Sequence, residues 1–158
     1  MRLISHRGNI TGRNSNLENK PEYIMNAISK GYDVEIDVWW YNESFYLGHD
    51  EPLYKIDPEF LYKTIQGGPQ FWCHAKNVEA IVEMKKYTPV SRHTYPFPNI
   101  NYFWHQNDDV TLTSHGYVWA YPGKQPIKDS IAVLPEIFQD DLSVCKGICS
   151  DNIKKYRT

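Results

Sequence analysis

Along the chain, apolar and polar positions fall into short blocks whose period switches between two and three or four. The run Asp33-Val34-Glu35-Ile36-Asp37-Val38 alternates strictly. As a strand it aims Val34, Ile36 and Val38 at one face and Glu35 and Asp37 together at the other. Shorter strand-like runs occupy 2–6, 45–47, 71–75, 101–105, 117–121, 130–134 and 147–150. The 45–47 run follows a four-residue connection, Tyr41-Asn42-Glu43-Ser44, and is expected to fold back on the strand before it.

Helical spacing separates the early strands. Asn19-Lys20-Pro21-Glu22 supplies an N-cap signal, Ile24, Ala27 and Ile28 an apolar face, and Gly31 a stop. Asn77 is placed to cap a helix carrying Val78, Ile81 and Val82, with Lys85 and Lys86 favourably placed in its last turn. Asp57-Pro58 opens another helix, with Phe60, Leu61 and Ile65 inward and Gly67-Gly68-Pro69 ending it, and the Pro-rich stretch 89–98 reads as irregular. Later segments are too short for long helices: Asp108 suits the cap of a one-turn segment ending at Gly116, and Glu136–Val144 has room for one or two turns.

The order strand, helix, strand predicts a mostly parallel α/β arrangement in one domain spanning 1–158. Polar residues recur at the C-terminal strand ends, as His6-Arg7, Asp37, His74 to Lys76, His105 and Asp151. A (β/α) barrel assembles its active site there. Such a barrel usually takes about 250 residues. At 158 residues, this chain is expected to form a reduced (β/α) TIM-like barrel with shortened or missing outer helices, mostly in its later half.

Charge and composition narrow the function. The formal charge is −2, from 17 basic and 19 acidic residues, without a block of like charge. That argues against a nucleic-acid arm. The absence of an apolar stretch long enough to span a bilayer, and of a signal-peptide core at the start, predicts a cytoplasmic protein without a transmembrane segment. Cys73, Cys145 and Cys149 are odd in number and form no Cys-x-x-Cys, so buried thiols are expected rather than a disulfide framework or a four-ligand zinc site.

The candidate chemistry centres on Glu35 and Asp37. Two carboxylates on one half-buried face raise each other's pKa unless a cation neutralises them, and a hard divalent ion is the usual solution. Arg7 is an alternative neutralising partner. His6, His49 and His74 stand in or beside neighbouring motifs, and His105 lies at another strand end among polar residues.

His6-Arg7-Gly8, Glu18-Asn19, Gly31 to Val38, and Leu47-Gly48-His49-Asp50 together resemble the N-terminal motifs of glycerophosphodiester phosphodiesterases, relatives of phosphatidylinositol-specific phospholipase C. Cys73-His74-Ala75-Lys76 resembles the third family motif, and Gly147 to Asp151 is similar to the last barrel strand. The resemblance implies that His6 and His49 are the catalytic acid/base pair, that Glu35 and Asp37 ligate a metal, and that Arg7 and Lys76 contact phosphate. His105 is a further candidate for substrate contact. Where the family presents a metal-binding Glu on the third strand, this chain has His74. An imidazole in that place moves the expected ion from Mg²⁺ or Ca²⁺ towards Mn²⁺ or Zn²⁺. The implied partner is a small-molecule phosphodiester. Two alternatives stand beside this expectation: a catalytically silent relative that binds a phosphorylated metabolite or head group, and a phospholipase-D-like lyase on a lysolipid, which should carry an exposed apolar patch beside the mouth.

Overall fold

A computed structural model describes residues 1–62, 70–86 and 100–157, with the side chain of Tyr62 not described. Its elements are β1 (Arg2–His6), α1 (Pro21–Ser29), β2 (Asp33–Tyr41), β3 (Ser44–Leu47), β4 (Tyr54–Ile56), β5 (Phe71–Ala75), α2 (Val78–Lys85), β6 (Asn101–Phe103), β7 (Val110–Leu112), β8 (Val118–Ala120), β9 (Ile131–Val133) and β10 (Gly147–Ser150). Short 3₁₀ turns occupy Pro58–Tyr62, Pro135–Ile137 and Ile153–Tyr156.

Seven strands run parallel in the order β6-β5-β2-β1-β10-β9-β8, and β7 closes back antiparallel on β8. Strand β2 is long enough to serve two partners on one side. Its first half pairs with β1 and β5, while Val38 to Tyr41 pair with the antiparallel hairpin strand β3. The hairpin turns in two residues, Asn42 and Glu43, both at positive φ, the backbone that matches the twist of the flanking strands. The four-residue connection expected there is therefore half strand.

The sheet curls strongly. Phe103 of β6 and Trp119 of β8 belong to opposite ends of the parallel set, yet their ring centroids are 4.6 Å apart. Together with Ile4, Trp72, Ile131, Val133 and Cys149 they fill the concave interior. At its floor Asp33 accepts from Arg2, Trp72 Nε1 and the Gln70 amide. The convex side packs against α1 and α2 through a larger cluster that includes Ile24, Val34, Ile36, Phe71 and Met84.

The ladder does not close into a barrel: among the described residues no strand pairing joins β6 to β7 or β8, and only two α-helices pack outside. The reason lies in residues 108–116. Instead of a capped helical turn they form β7 and its turn; β7 pairs with β8, while the segment meets β6 and its flanks through isolated hydrogen bonds of Thr111, Ser114 and His115 rather than a strand ladder. Asn19 does not cap α1. The cap position is Lys20, without a side-chain hydrogen bond. On α2 the buried residues are Ala80 and Met84, with Ile81 packed against the core, while Val78 and Val82 face out, because the hydrogen bonds that tie Asn77 to Trp40 turn the face carrying positions 80, 81 and 84 to the sheet. Ile65, Gly67 to Pro69 and the stretch 89–98 lie outside the described residues.

Asn77 joins sheet to helix. Its Oδ1 accepts from Ala80 N and Trp40 N, and its Nδ2 donates to Trp40 O. Losing an N-cap costs about 1 kcal/mol, and two half-buried backbone hydrogen bonds add about 0.5–1 kcal/mol each. Asn77→Ala is therefore expected to lower stability by about 2 kcal/mol in urea unfolding with an unchanged m-value. A midpoint equal to wild type would show that the clamp contributes nothing.

Candidate functional site

Register places the polar residues at one end of the concave face. His6 pairs with Glu35, and Asp37, two residues on, with His74, so three adjacent parallel strands present neighbouring side chains at two successive levels of one face. After β1 the chain turns through Arg7 at φ 54° and Gly8 at φ 92°. A Cβ on Gly8 would stand 2.7 Å from the Tyr23 ring, so the turn needs glycine there. It directs the Arg7 guanidinium back over β2, where Nε lies 2.8 Å from Asp37 Oδ2. That N–H is not aimed at the oxygen, so the contact is an ion pair. Asn19 supplies the directed hydrogen bonds, with Nδ2 to Asp37 Oδ2 at 2.8 Å and its Oδ1 accepting from Asp37 N at 3.0 Å.

Asp37 is completely buried and Glu35 nearly so. Burial would raise the pKa of Asp37, but contact with His74 and the charges of Arg7 and Lys76 outweigh it and hold the group far below the carboxylate range. Glu35 goes the other way. Burial, then the Asp37 charge, raise its pKa, and His6, Arg7 and His74 compensate only in part. The repulsion within the pair thus falls on Glu35. Arg7 is shared with Glu18 at 3.3 Å, and Lys76 Nζ lies 3.5 Å from Asp37 Oδ1.

The same residues fit a divalent ion. One donor atom each from Glu35, Asp37 and His74 lie within 4.8 Å of one another. His74 Nδ1 is 3.1 Å from Asp37 Oδ1 and 3.8 Å from Glu35 Oε1, the separations expected of ligands that each stand about 2.1 Å from one ion. Glu35 Oε2 and Asp37 Oδ1 are buried without a hydrogen-bond donor, a costly state that a cation relieves. The His74 ring is held between Phe103 and His105, with centroids at 5.1 and 5.0 Å, and Tyr121 backs His105 at 3.7 Å.

These side chains border one cavity of about 560 Å³, shared by His6, Arg7, Glu35, His49, His74, Lys76 and His105. Asp37 lies beneath it. His49 and Arg13 also border a smaller cleft of about 170 Å³, which places His49 at the junction of the two. Both His6 and His49 present Nδ1 to a carboxylate, Asp151 and Asp50, each at 2.7 Å. That contact fixes the ring and turns Nε2 to other work. Burial opposes protonation of His6, yet the hydrogen bond to Asp151 and the charge of Glu35 prevail and raise its pKa. In His49 burial and then Arg7 lower it. His105 is pushed down to about 4 by burial and the neighbouring His74.

Three residues that support the site are not assigned a role in it by the sequence: Asn19 reads as part of a helix N-cap signal, Asp151 as one of several polar strand-end residues, and Asn9, which donates to both Glu18 and Asp151, carries no local signal. Position 19 at φ 61° and the pairing of residues 142 apart arise only on folding. Comparisons of the chain with protein-family models, with curated proteins and with solved structures find no match.

His6 is expected to titrate above 6.5 in chelator-treated protein, because its charged form gains more from Asp151 and Glu35 than burial removes. Asp151→Asn deletes the first-named of those gains and should move the titration downward. Histidine ¹⁵N chemical shifts against pH measure both, and an unmoved His6 curve in Asp151→Asn would remove Asp151 from its support.

Proposed function

We propose that the chain is a metal-dependent phosphodiesterase that cleaves a glycerophosphodiester or related hydroxylated phosphodiester by histidine acid/base catalysis, on a reduced, open version of the (β/α) barrel. What carries the reading is that motifs separated along the chain, His6-Arg7, Glu35/Asp37, His49 and His74 to Lys76, border or underlie a single cavity. Cations and buried carboxylates alternate around it. Among the described residues no helix is long and apolar enough to cross a membrane, and we assign the protein a cytoplasmic setting.

A phosphodiester seats its non-bridging oxygens against Arg7 and Lys76, whose fixed charge compensates the phosphorane-like transition state. Glu35, Asp37 and His74 would hold the ion, which supplies further charge neutralisation at those oxygens when bound. His49, with its lowered pKa, is neutral near pH 7 and takes the proton from the attacking hydroxyl of the substrate. As that oxygen bonds to phosphorus, the opposite P–O bond breaks. His6, loaded through its raised pKa, gives its proton to the departing alkoxide. The opposed shifts of the two imidazoles are what an acid/base division requires. A cyclic phosphate formed this way is opened by water with the two roles exchanged.

His6→Ala and His49→Ala are each expected to cut kcat on glycerophosphodiesters by about 10²–10⁴-fold, with the double variant losing far less than the product because both act on one transition state. Assays across pH should give a bell whose acid limb belongs to His49 and whose alkaline limb belongs to His6. Wild-type rates in either single variant would remove that histidine from the mechanism.

Calorimetric titration tests the ligand set. Wild type is expected to bind Mn²⁺ or Zn²⁺ more tightly than Ca²⁺, and His74→Glu should shift the preference towards Ca²⁺ and Mg²⁺. Affinity should fall as imidazole protonates at lower pH. An unchanged ion order in His74→Glu would place His74 outside the coordination sphere.

A further inference from the structure

The cavity is larger than a glycerophosphoryl group needs. At about 30 Å³ per water-sized group, its roughly 560 Å³ holds about eighteen such groups, whereas the glycerophosphoryl unit has about ten heavy atoms. His6, Arg7, Glu35 and Lys76 come from β1, β2 and the end of β5, while Trp104, His105 and Gln106 follow β6, Tyr121 and Pro122 follow β8, and Val133 and Leu134 lie at the end of β9, so this second wall is largely apolar with His105 and Gln106 at one side of it.

We propose that this wall is a binding subsite for an apolar or aromatic second alcohol of the phosphodiester, so that the substrate class is a diester with one hydroxylated arm and one hydrocarbon-rich arm. The inference rests on the phosphodiesterase reading and narrows it. Pro122, Val133 and Leu134 have no side-chain hydrogen-bonding group, and Tyr121 Oη is buried without a hydrogen-bond partner. A small polyhydroxyl or charged head group placed against Pro122, Val133 and Leu134 would leave polar atoms unpaired there, which discriminates against it. A hydrocarbon arm instead displaces water from apolar surface.

The apolar path continues over the rim. The 3₁₀ turn Pro135–Ile137 begins at the wall residue Leu134, whose carbonyl accepts from Ile137 N. It carries Ile137 and Phe138 outward at 57% and 65% exposure. The Phe138 ring stands 3.3 Å from where a Cβ on Gly123 would be, and Gly123 follows the wall residue Pro122. An arm leaving the phosphate towards this side therefore meets Pro122 and Leu134 in the cavity, with Ile137 and Phe138 exposed on the turn that follows.

The test is kcat/KM for glycerophosphate diesters of methanol, butanol, hexanol and phenol, beside glycerophosphocholine, in the metal-supplemented protein. Each buried methylene is worth roughly a fourfold gain, so the hexyl and phenyl esters should exceed the methyl ester and glycerophosphocholine by at least tenfold. Trp104→Ala and Leu134→Asn should bring the hexyl-to-methyl ratio towards one. Asn suits the left-handed backbone of position 134, at φ 44°, so that variant is expected to fold. A flat or falling series, or a ratio unmoved in both variants, would overturn the subsite. Tryptophan fluorescence titration with non-hydrolysable hexyl and methyl phosphonate analogues separates the two claims. Tighter hexyl binding without turnover of any diester would retain the subsite and reject the phosphodiesterase; equal binding of both analogues would reject the subsite whether or not turnover occurs.

Discussion

The arrangement depends on keeping two carboxylates, Glu35 and Asp37, buried two residues apart on the same face of a central strand. Burying one ion without a partner is costly, and a second like charge beside it adds Coulomb repulsion that the protein interior screens poorly. The chain meets this by bringing Arg7, Lys76, His6 and His74 to the pair from both neighbouring strands, and by giving Asp37 the two directed hydrogen bonds of Asn19. Even so, Glu35 retains a raised pKa and an oxygen without a donor. A structural ion pair would be balanced more simply. The residual imbalance is what makes a metal ion the fitting further partner.

Parallel pairing is what turns this constraint into a site. Because β1, β2 and β5 run in one direction, the loops after them emerge at one end, and residues that follow the strands are gathered there without any long-range signal between them. Arg7 and Lys76 both come from the residue just beyond a strand, and both reach the same buried Asp37. The strained turn at Arg7 and Gly8 is sustained because the guanidinium it aims is anchored by Asp37 and Glu18.

Curvature supplies the other half. Large rings along β5, β6 and β8, namely Trp72, Phe103 and Trp119, fill the concavity with side chains instead of closing it with a ladder. The open edge between β6 and β8 leaves an aromatic wall opposite the charged one. One cavity thereby acquires two chemically distinct sides, one rich in charge and one built largely of aromatic and aliphatic side chains.

By itself the sequence determined most of the strands, both helices and the shared face of Glu35 and Asp37, because alternation at period two and capping at Asn77 are local properties of the backbone. The resemblance of its motifs singled out His6, Arg7, His49, His74 and Lys76, and folding gathers these around one cavity. Tertiary structure alone decided the rest. Residues 110–112 became strand because pairing with β8 outweighed the capping preference of Asp108. Asn19 left its capping position because the buried Asp37 offered its amide two stronger partners. Asp151 joined His6 because β10 lies beside β1 in the sheet. Each of these outcomes depends on a partner far along the chain, and no local pattern encodes which distant group will be there.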